Sequence, residues 1–285
     1  MILVTGATGR TGRELVKILA AMGMQVRAAV RDRTRAHGIA TSGVDIAVAD
    51  LNQPQSLLPL CEGVDKAYLV SGPDPQQVLM HSNFIRAARR AGVKHIVRHS
   101  VRWADSTSPV KICRWHAASE RELEESGIAW THLQPVYNMQ NFLRFAPQIQ
   151  AQNSFFASMR DAAVSMVDAR DIAAVAARVL TQDGHEGSTY VVTGPQALSF
   201  AEAAAQLSAT LGKSVRYVDL EPAAARNLML RAGMPEWYVD DLLGFYALYS
   251  TGAGALVSDV VARMTGLPGR TFLQFAAEFR ASFLE

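Results

Sequence analysis

The apolar positions of the first half fall in short β-rich runs separated by longer stretches of helical period. Residues 2–5, 26–30, 44–49, 67–70 and 95–99 predict strands. Between them, residues 11–22, 34–41, 54–61 and 75–91 space their apolar side chains as helices do. A helix over 112–126 and a strand over 129–134 follow. Strands that alternate with helices need right-handed crossovers, so the pattern predicts an α/β fold with a six-stranded, doubly wound parallel sheet.

Beyond Pro135 the rhythm changes. Residues 137–147 are aromatic and irregular, and a short strand at 164–167 precedes an Ala-rich helix over 169–180. A strand at 189–192, a helix at 200–211 with Ser199 as N-cap, and a strand at 215–219 lead into mostly helical sequence. No Gly-, Ser- and Pro-rich linker divides the chain. The expected organisation is therefore a nucleotide-binding domain over 1–135 and a smaller, mostly helical substrate-covering part over 136–285. That part is expected to pack on the sheet's carboxyl edge, with the chain crossing back.

Composition narrows the classes. The 285 residues are 49% apolar and 19% charged, and the formal net charge is +2 with basic residues scattered. Nucleic-acid binding gains no electrostatic support from such a distribution. Met1 runs straight into Ile2-Leu3-Val4, leaving no room for a signal peptide, and no apolar run is long enough to span a membrane. The two cysteines, Cys61 and Cys113, lack metal-ligand spacing and read as free thiols of a cytoplasmic protein. His81, His95 and His185 show no ligand spacing either, so no metal is expected. The expected partner is a small molecule, and the expected state a monomer or homodimer.

The strongest chemical signal is Gly6-Ala7-Thr8-Gly9-Arg10-Thr11-Gly12, directly after the first strand. Gly6 permits a tight turn, Gly9 lets the backbone approach a pyrophosphate, and Gly12 lets the helix pack near its strand. The helix then offers unpaired N–H groups to the negative charge. This is the dinucleotide-binding fingerprint of a Rossmann-type sheet, in the strand–turn–helix context that supports it. An NAD site usually places a carboxylate at the tip of the second strand for the ribose 2′-hydroxyl. Arg31 stands there instead, followed by Asp32. A guanidinium suits a 2′-phosphate, with Arg10 as a second charge, so NADP(H) is preferred and NAD(H) remains possible. Asp50 and Leu51 should lie by the adenine, and Ser71, Gly72 and Pro73 by the pyrophosphate and the far ribose, because ligands cross the strands' carboxyl ends.

These residues resemble the NmrA-like, atypical branch of the short-chain dehydrogenase/reductase superfamily. The likeness covers nearly the whole chain. Beside the glycine loop it is carried by Val30-Arg31, Ala91-Gly92-Val93-Lys94-His95-Ile96, Leu133-Gln134-Pro135 and Val167-Asp168-Ala169-Arg170-Asp171. Within that branch the chain is most similar to bacterial NADPH-dependent quinone oxidoreductases and triphenylmethane dye reductases. The resemblance implies that Pro135, Tyr137 and Asn138 line the nicotinamide, and that residues 137–142 help to roof a substrate pocket.

The wider superfamily carries a Tyr and, four residues later, a Lys on the helix before the sixth strand. Here His116 and Glu120 occupy those places, and no Tyr-x-x-x-Lys exists in the chain. Hydride delivered to a simple ketone builds a basic alkoxide that needs a strong local acid. A quinone gives a delocalised oxyanion and a dye cation a neutral product, so proximity and orientation supply much of what is needed. The expected function is an NADPH-dependent reductase of such electrophiles. Two alternatives stand beside it: an NADP(H)-sensing regulatory binding protein, and a pathway-specific reductase or isomerase using His116 as acid. Glu120 would orient His116 across one helix face, and Ser100 is the candidate oxygen-stabilising hydroxyl. Trp103, Tyr137, Met139, Phe142, Trp237 and Tyr238 are candidates for a flat-ring pocket, although each suits an ordinary core. Asp168 and Asp171 read as cap and first-turn acid of a helix.

Overall fold

The structure, a computed structural model, describes residues 1–284. In chain order it runs β1 (Ile2–Val4), α1 (Arg10–Ala21), β2 (Val26–Val30), β3 (Val44–Val48), α2 (Leu57–Cys61) and β4 (Lys66–Leu69). Next come α3 (Gln77–Ala91), β5 (His95–His99), α4 (Lys111–Glu125), β6 (Ala129–Pro135), β7 (Tyr137–Asn138), α5 (Ala146–Gln152) and β8 (Ser154–Ala157). Then follow β9 (Met166–Val167), α6 (Ala169–Thr181), β10 (Ser188–Val192), α7 (Phe200–Leu211) and β11 (Arg216–Asp219). The helices α8 (Pro222–Arg231), α9 (Glu236–Ser250), α10 (Val260–Thr265), α11 (Phe272–Glu278) and α12 (Arg280–Leu284) complete the chain.

The chain forms two compact units. The first comprises Met1–Ser108, Ile112–Pro135 and Ala169–Val192, the second Pro109–Lys111, Val136–Asp168 and Thr193–Glu285. The division is thus not a single break at residue 135, because α6 and β10 belong with the strands that precede them.

In the first unit the strands form one parallel sheet in the order β10-β6-β5-β4-β1-β2-β3. This is the doubly wound topology, but with seven strands among the described residues rather than the six expected. The Ala-rich α6 is the crossover that returns β10 parallel to β6, pairing Ser188 with Thr131 and Val192 with Pro135. Two predicted helices are much reduced. Residues 34–41 yield only a 3-10 turn over Arg33–Ala36, and α2 is preceded by a 3-10 turn at Pro54–Ser56. Gly38 and Gly43, both at positive φ, accompany the first of these losses.

Strand positions alternate faces, and apolar side chains are buried on both, as a sheet covered on two sides requires, with Arg98, His95 and His132 among the buried polar exceptions on β5 and β6. Leu3, Leu69 and Ile96 join Phe84 and Ile85 of α3 and Leu123 of α4 in one buried cluster, while α1 packs against α6. The chain leaves β1 toward β2 and later returns to β4 on the other side, so the switch point lies between β1 and β4. Thr5 closes that point. Its hydroxyl donates to Val70 O (2.9 Å) and accepts from Val70 N (2.8 Å), tying the two strand ends together where the loops diverge.

The second unit contains two parallel strand pairs, β11 with β8 and β7 with β9. Its core is aromatic. Phe142 packs with Phe200 and Phe272 at centroid distances of 5.0 and 4.8 Å, and Phe155 and Tyr137 edge onto the same group. Ser199 caps α7 in a full capping box with Glu202, the N-terminus that the sequence marked.

Candidate active site

The glycine loop holds its shape because no side chain fits it. Gly6 has φ +55°, and a Cβ there would meet Val70 Cγ1 at 2.8 Å. At Gly12 a Cβ would stand 2.3 Å from Gly6 O, inside any permitted contact. Gly9 N donates to Gly6 O (2.8 Å), curling the loop over the start of α1. Gly9 is the N-cap and offers no side-chain cap, and the first turn of α1 has no acidic residue. The positive end of this helix is therefore left without an anion from the protein's own first turn. A pyrophosphate fits this cradle.

Arg31 and Asp32 follow β2, both exposed. Asp32 Oδ1 accepts from Thr34 N (2.9 Å), so this carboxylate caps the 3-10 turn, and the hydrogen bond holds it below the usual carboxylate range. After β3, Asp50 Oδ1 accepts from Asn52 N (2.9 Å), and Leu51 O accepts from Asn83 Nδ2 (3.1 Å). Ser71, Gly72 and Pro73 follow β4, at the switch point, with Gly72 and Pro73 exposed. The predicted coenzyme residues of the first unit thus lie in loops that follow the strands' C-terminal ends or in the opening turn of α1, except Pro135, which is the last residue of β6.

The proton-donor candidates are arranged differently from the expectation. Glu120 does not pair with His116. It accepts from Gln134 Nε2 (3.1 Å) and lies 3.8 Å from Arg98 Nη1. Arg98, fully buried on β5, takes the place between them and reaches His116 Nδ1 with Nη2 at 3.0 Å. Ser100 Oγ is a weaker neighbour of the same nitrogen, at 3.4 Å, while Ser100 N donates to Leu133 O. Burial and the Arg98 charge hold His116 well below its ordinary value, so the imidazole is neutral. Burial raises the Glu120 carboxyl. Arg98 also reaches His81 Nδ1 (3.3 Å), and His81 Nε2 lies 3.0 Å from Ser71 Oγ. Sequence reasoning missed Arg98 and His81. The available signal was a cation in the middle of the strand His95-Ile96-Val97-Arg98-His99.

The flat-ring pocket is corrected in the second unit. Phe142 is fully buried, with Met139 at 2% and Tyr137 at 6% exposure, so these three fill the aromatic core rather than line an opening. Trp237 and Tyr238 are half-buried on α9, and the Tyr238 hydroxyl accepts from Arg144 Nη1 (2.8 Å). That arginine and Gln148 border an apolar cavity of about 110 Å³, walled by Phe145, Phe156, Leu228, Met229, Met234 and Tyr246. Asn138 pairs with Val167 in the β7–β9 ladder. Asp168 is buried and accepts from Gln140 Nε2 (2.9 Å) and Arg270 Nε (3.1 Å), and Asp171 lies in the first turn of α6. In the first unit, Trp103 is half-buried and adopts φ +70°, a left-handed conformation that a large aromatic side chain seldom takes.

The profile of the NmrA-like family matches residues 1–263. An NAD(P)H azoreductase of Xenophilus azovorans is 44% identical over 283 residues, covering 99% of both chains. A crystal structure of an NADPH-dependent quinone oxidoreductase from Escherichia coli, complexed with NADPH, superposes with a TM-score of 0.89 at 31% identity, covering 98% of this chain and 99% of that one. The triphenylmethane reductase of a Citrobacter species, complexed with NADP(H), gives 0.86 at 29% identity, covering 98% of this chain and 99% of that one.

Proposed function

The chain belongs to the NmrA-like family, and from that premise we propose that it is an NADPH-dependent reductase of small conjugated electrophiles, quinone-like or dye-like. Gly6 to Gly12 would hold the pyrophosphate against α1, Arg31 and Arg10 the 2′-phosphate, and Asp50 and Leu51 the adenine edge. Ser71, Gly72 and Pro73 would pass beside the pyrophosphate and second ribose, and Pro135, the last residue of β6, beside the nicotinamide. When bound, the coenzyme supplies the hydride. The related azoreductase, quinone oxidoreductase and triphenylmethane reductase support this substrate range by their activities.

One observation carries the choice of acceptor. Where a ketone reductase of the superfamily would hold a tyrosine, this chain holds an imidazole whose Nδ1 faces a buried arginine. That ring is not a cationic acid near neutrality, because burial and a second positive charge beside Arg98 both disfavour its protonated form. It can donate one neutral hydrogen bond. Such a donor suffices for a hydroquinone anion, whose charge is delocalised and whose single proton arrives from water. It does not suffice for an aliphatic alkoxide. We also propose a reducing, cytoplasmic compartment, a reading supported by the buried cysteines Cys61 and Cys113, which form no disulfide.

The test is NADPH oxidation with a panel of quinones, enones, azo dyes and cationic dyes beside simple ketones. Turnover is expected with the conjugated acceptors and absent with the ketones. Inactivity across the whole panel, or preference for a simple ketone, overturns the proposal.

A further inference from the structure

We propose that Arg98 is the positioning residue of this site: it fixes His116 and His81 in one neutral tautomer, so that His116 Nε2 and, through His81, the Ser71 hydroxyl are both presented as hydrogen-bond donors. The inference deepens the reductase reading and rests on it for the identity of the acceptor.

A guanidinium has five N–H donors and no acceptor. Arg98 Nη2 stands 3.0 Å from His116 Nδ1, and Arg98 Nε stands 3.3 Å from His81 Nδ1. Both imidazole nitrogens must therefore accept, and both rings must carry their proton on Nε2. His81 spends that proton on Ser71 Oγ, 3.0 Å away, so the serine's own proton is turned elsewhere. Ser71 is half-buried and follows β4 at the switch point, where a dinucleotide crosses such a sheet. His116 is half-buried, and its Nε2 has no protein partner among the described residues. One cation thus polarises two rings, one feeding the loop after β4 and the other standing on α4.

The arrangement depends on arginine. Nε and Nη2 lie on one edge of the planar fork, which lets a single side chain hold two rings at once; a lysine ammonium is a point donor on a flexible stem. The third nitrogen, Nη1, faces Glu120 Oε1 at 3.8 Å, and that carboxylate supplies the countercharge. Burial draws Arg98 down to about 10, still far above neutrality. The remaining titratable groups around the rings are His99 on β5, His132 on β6 and Glu124 on α4. His99 Nδ1 meets the Tyr68 hydroxyl at 2.6 Å, and His132 Nε2 meets Glu124 Oε1 at 3.2 Å. His99 and His132 are held to about 4 and about 3, chiefly by burial, so neither adds a positive charge near neutrality. An apolar residue at position 98 would avoid the desolvation cost of a buried ion.

Nitrogen-15 NMR of the histidine rings tests this in the full-length protein, with and without saturating NADP⁺. His116 and His81 should show unprotonated Nδ1 and protonated Nε2, unchanged between about pH 5.5 and about pH 8.5, where an ordinary histidine titrates. An Nδ1–H tautomer at either ring, or a His116 midpoint near the ordinary value, overturns the proposal. This arm needs no turnover, so its failure is distinct from failure of the reductase reading.

The variant arm uses Arg98→Met and, because a lone Glu120 carboxylate would be left buried, the double variant Arg98→Met/Glu120→Gln. Loss of the guanidinium should raise the His116 midpoint from its position in the parent protein, with burial still holding it below the ordinary value. The variant's kcat should then rise about threefold or more toward the acid end of the profile, where the parent protein's is flat. Arg98→Lys should leave at least one of the two rings with mixed tautomers. A folded double variant that keeps both the flat profile and the parent tautomers reduces Arg98 to a packing role.

Discussion

Asp32 Oδ1 accepts a hydrogen bond from Thr34 N at 2.9 Å, so the carboxylate beside the second strand's tip caps a turn instead of facing a ribose. Arg31, one residue earlier, is exposed. The proposed NADPH preference follows from this pair. Replacing Arg31 with Ala removes a charge-assisted contact worth about 1.5–3 kcal/mol, which is roughly 10- to 150-fold in affinity. Titration calorimetry should show that loss for NADPH and almost none for NADH. Equal losses for both coenzymes would place the 2′-phosphate elsewhere.

Gly12 and Gly72 should separate folding from binding. A methyl at Gly12 collides with Gly6 O, so Gly12→Ala should lower the melting temperature and abolish coenzyme binding together. Gly72 has nothing within 4 Å of its missing Cβ and no positive φ. Gly72→Ala should leave stability within about 0.5 kcal/mol, as for surface substitutions generally, while weakening NADPH. Thermal melts with and without coenzyme read both effects. An unchanged affinity in Gly72→Ala would remove that residue from the coenzyme's path.

Trp103 occupies the left-handed region at φ +70°, a strain of about 1–3 kcal/mol for a non-glycine residue. Trp103→Gly should return much of that strain, so stability should hold despite the lost indole. The KM for the acceptor should rise, because the residue lies in the loop that follows β5. A sharp fall in melting temperature with an unaltered KM would make the indole ordinary packing.

Acid should destabilise the fold before its carboxylates titrate. Burial holds His95 and His99 at about 4 and His132 at about 3, below the unfolded value near 6.5. In that window the unfolded chain binds more protons, so stability falls as pH drops below 6.5, by about 1.4 kcal/mol per pH unit per group. Asp65, held at about 2 by the N-terminal amine and Lys94, acts in the same direction but only below about pH 4. Urea melts at pH 7 and pH 5 should differ by several kcal/mol. Coincident melts would mean that these rings are not buried neutral.

The legible parts of this chain were those in which a local pattern has one physical solution. Gly6 to Gly12 after an apolar strand admits a single turn, and Ser199 with Glu202 closes its capping box three residues apart. The tertiary pairings were not legible. The spacing of His116 and Glu120 suggested a direct contact, yet the partner of both comes from β5, eighteen residues before the histidine. Phe142 was a pocket candidate whose residue type suits a core better, and its neighbours Phe200 and Phe272, distant in sequence, decide for the core. The seventh strand was marked as a strand but not as a neighbour of β6, because periodicity carries no information about pairing. The cavity walled by Leu228, Met229 and Met234 lay in sequence read only as helical.

The most direct test is a single turnover: the NADPH complex is mixed with excess quinone, and the reduced nicotinamide absorbance is followed from about pH 5.5 to about pH 8.5, a range spanning ordinary histidine titration. The account predicts full loss of the absorbance at a rate independent of pH, since the donor ring never titrates there. Bound NADPH that stays reduced, or a rate that falls in proportion to proton concentration as pH rises, would contradict it.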